Sequence, residues 1–164
     1  MAGSAPSAFI FLMTALIVSA SVSIILVDSW KGIADTYADN RDKAALDAKT
    51  EFSFAGNPMM VNYDAGNQIM VFYLQNTGQA ILEDSIGGVF VDGVRPATSV
   101  ASAVAGGGAW APGELLRLTL EDSTAMVGWT YVDGDEVVLM LVANSVISKG
   151  VRGTYSLTLT VRLV

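Results

Sequence analysis

From Ala8 to Val27 the chain reads AFIFLMTALIVSASVSIILV, twenty residues without a charge. As an α-helix this run rises about 30 Å, the thickness of a bilayer's hydrocarbon core. That length predicts a stable membrane-spanning helix. The competing readings are a buried core helix and a cleavable signal peptide. A signal peptide carries basic residues ahead of a shorter apolar run, whereas MAGSAPS has no Lys or Arg. Pro6 suits a first helical turn, where its missing N–H has no partner to lose, and Ser4 is the expected N-cap.

Helical spacing continues past the apolar run, with Trp30, Ile33, Ala34, Tyr37, Ala38, Ala44, Ala45 and Ala48 at intervals of three and four and only Gly32 weakening it. At about 100° per residue, Ala15, Ser19, Ser23, Trp30, Ile33 and Tyr37 fall in one sector, with Asp28, Lys31, Asp35, Asp39, Asp42 and Lys49 opposite. The inner part of that stripe is a small-xxx-small ladder, which lets helix backbones approach closely. These six residues are the candidate helix-association set, and they predict a homo-oligomer formed through the helix. Arg41 interrupts the seam, and packing of the outer half on the chain's own β-domain is the alternative.

Beyond Glu51 the spacing changes to short alternating runs separated by turn residues. In TYSLTLTVRLV, Tyr155, Leu157, Leu159, Val161 and Leu163 alternate with Thr154, Ser156, Thr158, Thr160 and Arg162; Leu116, Leu118 and Leu120 alternate with Arg117, Thr119 and Glu121. Asp64 to Asn67 reads as a hairpin turn, Asn76-Thr77-Gly78 as a strand end, Asp92-Gly93 as a tight turn, Ala105 to Pro112 as a flexible loop and Asp133-Gly134-Asp135 as a further turn. Roughly seven or eight strands result, the count of an immunoglobulin-like sandwich. The domains expected are therefore residues 1–50, a transmembrane and extended helix, and residues 51–164, an all-β immunoglobulin-like sandwich. Ile69 to Leu74 and Val137 to Val142 are apolar on both faces, so they are either central strands roofed by loops or bear an exposed binding surface. On β-strand 69–74 either Ile69, Val71 and Tyr73 or Met70, Phe72 and Leu74 point outward. Met70, Phe72 and Leu74, with Val138 and Met140, are the candidate partner-binding residues.

Cysteine and histidine are both absent, which removes disulfides, thiolate chemistry, Cys/His zinc sites and an imidazole base. A net charge of −7 with nine scattered Lys and Arg argues against a nucleic-acid partner. Asp133, Asp135 and Glu136 with Glu121 and Asp122 could gather a calcium ion, but their spacing fits no EF-hand loop and a solvated turn is preferred. No carboxylate pair is placed across a cleft for glycoside chemistry, and Ala105 to Gly108 lacks the Lys-Ser/Thr of a phosphate loop. The chain is expected to bind protein, to need no cofactor and not to be an enzyme.

An apolar helix behind a charge-poor N-terminus, followed by YLQNTGQAIL, VFVDGV, WAPGELLRLTL and DGDEVVLMLVANSV, resembles the archaeal flagellar (archaellum) accessory proteins FlaG and FlaF, and FlaG more than FlaF. The motifs are Asn76-Thr77-Gly78, Val91-Asp92-Gly93 and Trp110 to Glu114. The resemblance implies a helix in the cytoplasmic membrane, an immunoglobulin-like domain outside the cell and a stator role, with accessory subunits and envelope or S-layer protein as partners. Lys31, Arg41 and Lys43 after the span would by themselves favour a cytoplasmic C-terminus, so the extracellular placement rests on the resemblance. Filament subunits, the archaellins, share the helix-plus-sandwich plan and are the alternative. They carry a basic leader ending in Gly, and Met1-Ala2-Gly3 has no basic residue.

Overall fold

A computed structural model describes residues 5–104, 108–122 and 129–164. The expected N-cap Ser4, and Gly3, lie outside the described residues, as do residues 105–107 of the expected loop. The chain forms a helix, α1 (Ala5–Asp47), and eight strands: β1 (Phe52–Ala55), β2 (Asn62–Asp64), β3 (Ile69–Asn76), β4 (Leu82–Val91), β5 (Thr98–Ala103), β6 (Leu115–Glu121), β7 (Glu136–Ser145) and β8 (Thr154–Arg162). Two compact units result, one ending at Arg41 and the other Asp42–Val164.

The first unit is helix alone. Every residue from Pro6 to Arg41 is exposed, and the helix is long and apolar enough to cross a membrane. Its hydroxyls suit an environment without water. Thr14, Ser21 and Ser23 donate to the carbonyls of Ile10, Ile17 and Ser19 at 2.8–2.9 Å, so these polar groups are satisfied within the helix itself.

The second unit is a sandwich of two antiparallel sheets. One sheet runs β1-β3-β6-β5, with β2 continuing the edge that β1 begins on β3; the other runs β4-β7-β8. Alternation explains the facing layers: Met70, Phe72 and Leu74 from β3, Leu116, Leu118 and Leu120 from β6, and Val137, Leu139 and Leu141 from β7 are all buried. Removing each such side chain from water contributes about 1.5–3 kcal/mol. Trp110 and Phe52 fill one end of the core with ring centroids 5.7 Å apart, and Tyr155 meets Phe52 edge-on at 5.4 Å.

The predicted turns form for identifiable reasons. Asp64 Oδ1 accepts from the amides of Gly66 and Asn67, while Asn67 Nδ2 donates to Asp64 Oδ2 at 2.7 Å. These bonds, the Asn67 side chain first, hold the Asp64 carboxyl below its ordinary range. Asp92 and Gly93 both take positive φ, 49° and 80°, and Val91 and Val94 exchange backbone bonds across them. The turn does not make a hairpin, however. β4 pairs with β7 and β5 with β6, so Asp92-Gly93 carries the chain from one sheet to the other.

The two sheets are also sewn together along Pro58 to Tyr63, the segment that leads from β1 into β2. Val61 and Tyr63 donate to the carbonyls of Arg162 and Val164, and Arg162 donates to that of Pro58, all at 2.8–3.0 Å.

Candidate assembly surfaces

The six candidate helix-association residues, Ala15, Ser19, Ser23, Trp30, Ile33 and Tyr37, all lie in the exposed helix of the first unit. Ser23 Oγ is engaged with the Ser19 carbonyl at 2.9 Å, so the ladder offers a small surface with little to desolvate.

The partner-binding candidates divide. Met70, Phe72 and Leu74 are core side chains, facing Leu120, Leu118 and Leu116 in register. This corrects their assignment as a contact surface. The outward set on β3 is Ile69, Val71 and Tyr73, of which Tyr73 is 42% exposed. The reason is register: Phe52 and Leu116 fix Asn76 and Leu74 on the core face, and a period of two then assigns every other residue. Val138 and Met140 do face outward from β7, 43% and 41% exposed. On their flanks stand Phe90 of β4 opposite Met140, and Thr160 and Thr158 of β8 opposite Val138 and Met140. The outer face of this sheet is therefore apolar along β7 and rich in hydroxyls along β8.

A third feature is the junction between the end of the helix and the sandwich, where the sequence offered packing of the outer helix on the β-domain as an alternative without naming the contacts. Lys49 and Glu51 present their carbonyls to the amides of Thr77, Gly78, Gln79 and Ala80 at 2.8–3.2 Å. Asn76, fully buried, accepts from the Gly78 amide and donates through Nδ2 to the carbonyls of Ala80 and Trp110, both at 2.9 Å. Trp110 Nε1 donates to the Glu114 carbonyl, whose carboxylate caps the Ala111 amide. From the other sheet, the Thr154 amide donates to Asp47 Oδ1 at 2.8 Å, and Lys149 lies 3.7 Å from Asp42. Two glycines permit the close approach. A Cβ on Gly78 would strike the Lys49 carbonyl and the Glu51 amide, and one on Gly153 would strike Thr50 Oγ1 and the Leu46 carbonyl. The sequence signal was a polar Asn and a Gly at the end of an apolar strand, which reads equally well as an ordinary turn.

The third motif, Val91-Asp92-Gly93, is likewise structural. Asp92 Oδ1 accepts from the Val138 amide and Oδ2 from the Tyr131 hydroxyl, each at 2.7 Å. Burial, and then this bond, raise the Tyr131 pKa above its ordinary value. Asp135 caps the Val132 amide at 2.9 Å. Among the described residues no three carboxylates converge on a point where a metal ion could sit.

A family model for archaeal-type flagellin matches residues 2–156, which takes in both the helix and almost all of the sandwich. The chain belongs to the archaeal-type flagellin family. That family is a structural, filament-type one rather than an enzymatic one, and this flagellin-family chain is accordingly a structural component of the archaellum, made to assemble with other archaellum subunits. Its exposed apolar helix is consistent with a membrane anchor. No curated protein matches the sequence.

Proposed function

We propose that this flagellin-family chain is a stator-type component of the archaellum, of the FlaG/FlaF kind and closer to FlaG. Its helix sits in the cytoplasmic membrane and its β-domain lies outside the cell, bound to envelope or S-layer protein or to sister accessory subunits. Functionally, residues 1–50 anchor and space and residues 51–164 bind, with the small-residue ladder bringing helices of like chains together.

The observation that carries this reading is the abrupt change in the helix at Asp28. Ala8 to Val27 has no charge, whereas Asp28, Lys31, Asp35, Asp39, Arg41, Asp42 and Lys43 follow within the same helix. Packing that second stretch among other helices on all sides would strip water from charges, which costs several kcal/mol for each ion left poorly paired. A helix in lipid up to Val27 and in water beyond it meets no such cost. Val138 and Met140 then supply the apolar part of the contact surface.

The second reading is a filament subunit, favoured by the span of the family match over helix and sandwich together. Shearing filaments from cells and tracing an epitope-tagged chain separates the two. The stator reading expects the chain in the membrane fraction, resistant to salt washing and open to protease added outside the cell. Recovery in the sheared filaments with a shortened N-terminus would establish the filament subunit instead.

A further inference from the structure

We propose that the free edge of β5 pairs antiparallel with the β5 of a second copy of this chain, centred on Ala101. This holds whether the chain is a stator or a filament subunit, because it concerns a different surface from the helix and from the Val138 and Met140 face.

Unpaired sheet edges are normally blunted by shortness, charge, proline, bulges or a covering segment. The edges at β1, β2 and β4 show these devices. β1 and β2 are four and three residues long. β4 has register shifts on either side of Ile86 and carries Glu83 and Asp84. β8 is covered only at its end, where Arg162 exchanges bonds with Pro58 and Val61; among the described residues the rest of its edge shares the bareness of β5. β5, Thr-Ser-Val-Ala-Ser-Ala, has none of them: six residues in unbroken register with β6, with no strand on its other side among the described residues.

Charge selects the occupant. In a contact between identical chains of net charge −7, like charges meet unless the surface has none. From Pro96 to Gly113 there is no charged residue. Outside that stretch, Glu121 of β6 stands opposite Thr98 at the start of β5, and Asp84 lies across a groove lined by Ser99, Val100, Ala101 and Leu118. Val100 is 57% exposed there.

The register follows from the ladder. The Val104 amide donates to the Leu115 carbonyl, so the peptide groups of residues 98, 100, 102 and 104 point at β6 and those of Ser99, Ala101 and Ala103 point away. Antiparallel self-pairing engages all three outward residues only when Ala101 faces its own copy and Ser99 faces Ala103. About six hydrogen bonds then form, two for each closely bonded pair. Val100 thereby lies opposite Ser102 of the other copy with Cα atoms about 4.5 Å apart, within disulfide reach, while two Val100 residues are diagonal neighbours at about 7–8 Å.

The chain has no cysteine, so introduced thiols report cleanly. Full-length Val100→Cys and Ser102→Cys chains, differently tagged, are co-expressed in membranes and oxidised. The proposal expects a disulfide between the two tags at least tenfold above that of either variant expressed alone. Adding Ala101→Pro to both chains should abolish it, since that amide points away from β6 and its loss removes a bond only to the partner. Cross-linking of Val100→Cys alone as strong as the mixture, cross-linking that survives Ala101→Pro, or none in the mixture would each overturn the pairing.

Discussion

Gly78 is the residue on which the junction most depends, because any side chain there meets main chain that cannot move aside. Gly78→Ala should lower stability by about 1–3 kcal/mol, read as a fall in the thermal midpoint of the purified protein. An unchanged midpoint would mean that the approach of Lys49 and Glu51 is not maintained in solution. Tyr131 offers a test in pH. Its phenol is raised above the ordinary 10.0 by burial and by the bond to Asp92. A raised phenol favours the neutral form in the folded chain, so its contribution is complete below pH 10 and is lost progressively as pH rises beyond that value. Tyr131→Phe should therefore be the less stable protein at neutral pH, by about 1 kcal/mol for the lost bond. Its deficit should shrink above pH 10. A deficit constant across that value would show that the phenol is not held by Asp92.

At the level of elements, β3 shows what alternation reveals and where it stops. Its turn at Asp64 to Asn67 and its extent were legible, because an Asx-bonded turn followed by an apolar run has few other uses. Which face pointed inward was not, since Ile69 to Leu74 is apolar on both sides and only pairing with β1 and β6 decides it. Phe72→Glu is expected to cost more than about 4 kcal/mol, placing an unpaired charge opposite Leu118. Tyr73→Glu should stay within about 1 kcal/mol of the parent. Melting curves of the two full-length variants make the comparison, and similar loss from both would mean that the outer face of β3 is covered. β5 was harder still: the sequence marks a turn before it at Asp92-Gly93, but nothing local states that the turn changes sheets.

For the whole molecule, the change from helical to strand spacing near Glu51 located the helix and the sandwich, and the uncharged run to Val27 marked the part of the helix that is long and apolar enough to cross a membrane. The physical grouping differs from the change in spacing. Asp42 to Thr50 is helix and turn by sequence, yet it is bonded into the sheets through Asp47 and Lys49. Contacts of that kind join residues far apart in the chain and leave no periodic trace. A fragment beginning at Glu51 would lack the carbonyl of Lys49, and the amides of Gln79 and Ala80 would lose their acceptor. A fragment beginning at Asp42 keeps it, and should melt at a clearly higher temperature than the shorter one. Equal melting would assign the helix end no part in holding the sandwich together.

The same junction bears on how force passes along the chain. A linker of freely turning bonds lets a domain swivel and dissipates any twist applied to its stem. Here the stretch from Asp42 to Glu51 is gripped at Lys49 and Glu51 by Thr77 to Ala80, and at Asp47 and Asp42 by Thr154 and Lys149. Torsion about that stretch has no single bond to relax through and must strain hydrogen bonds in both sheets together. Within the second unit, a pull on the chain at Asp42 is therefore shared between the two sheets instead of falling on one strand.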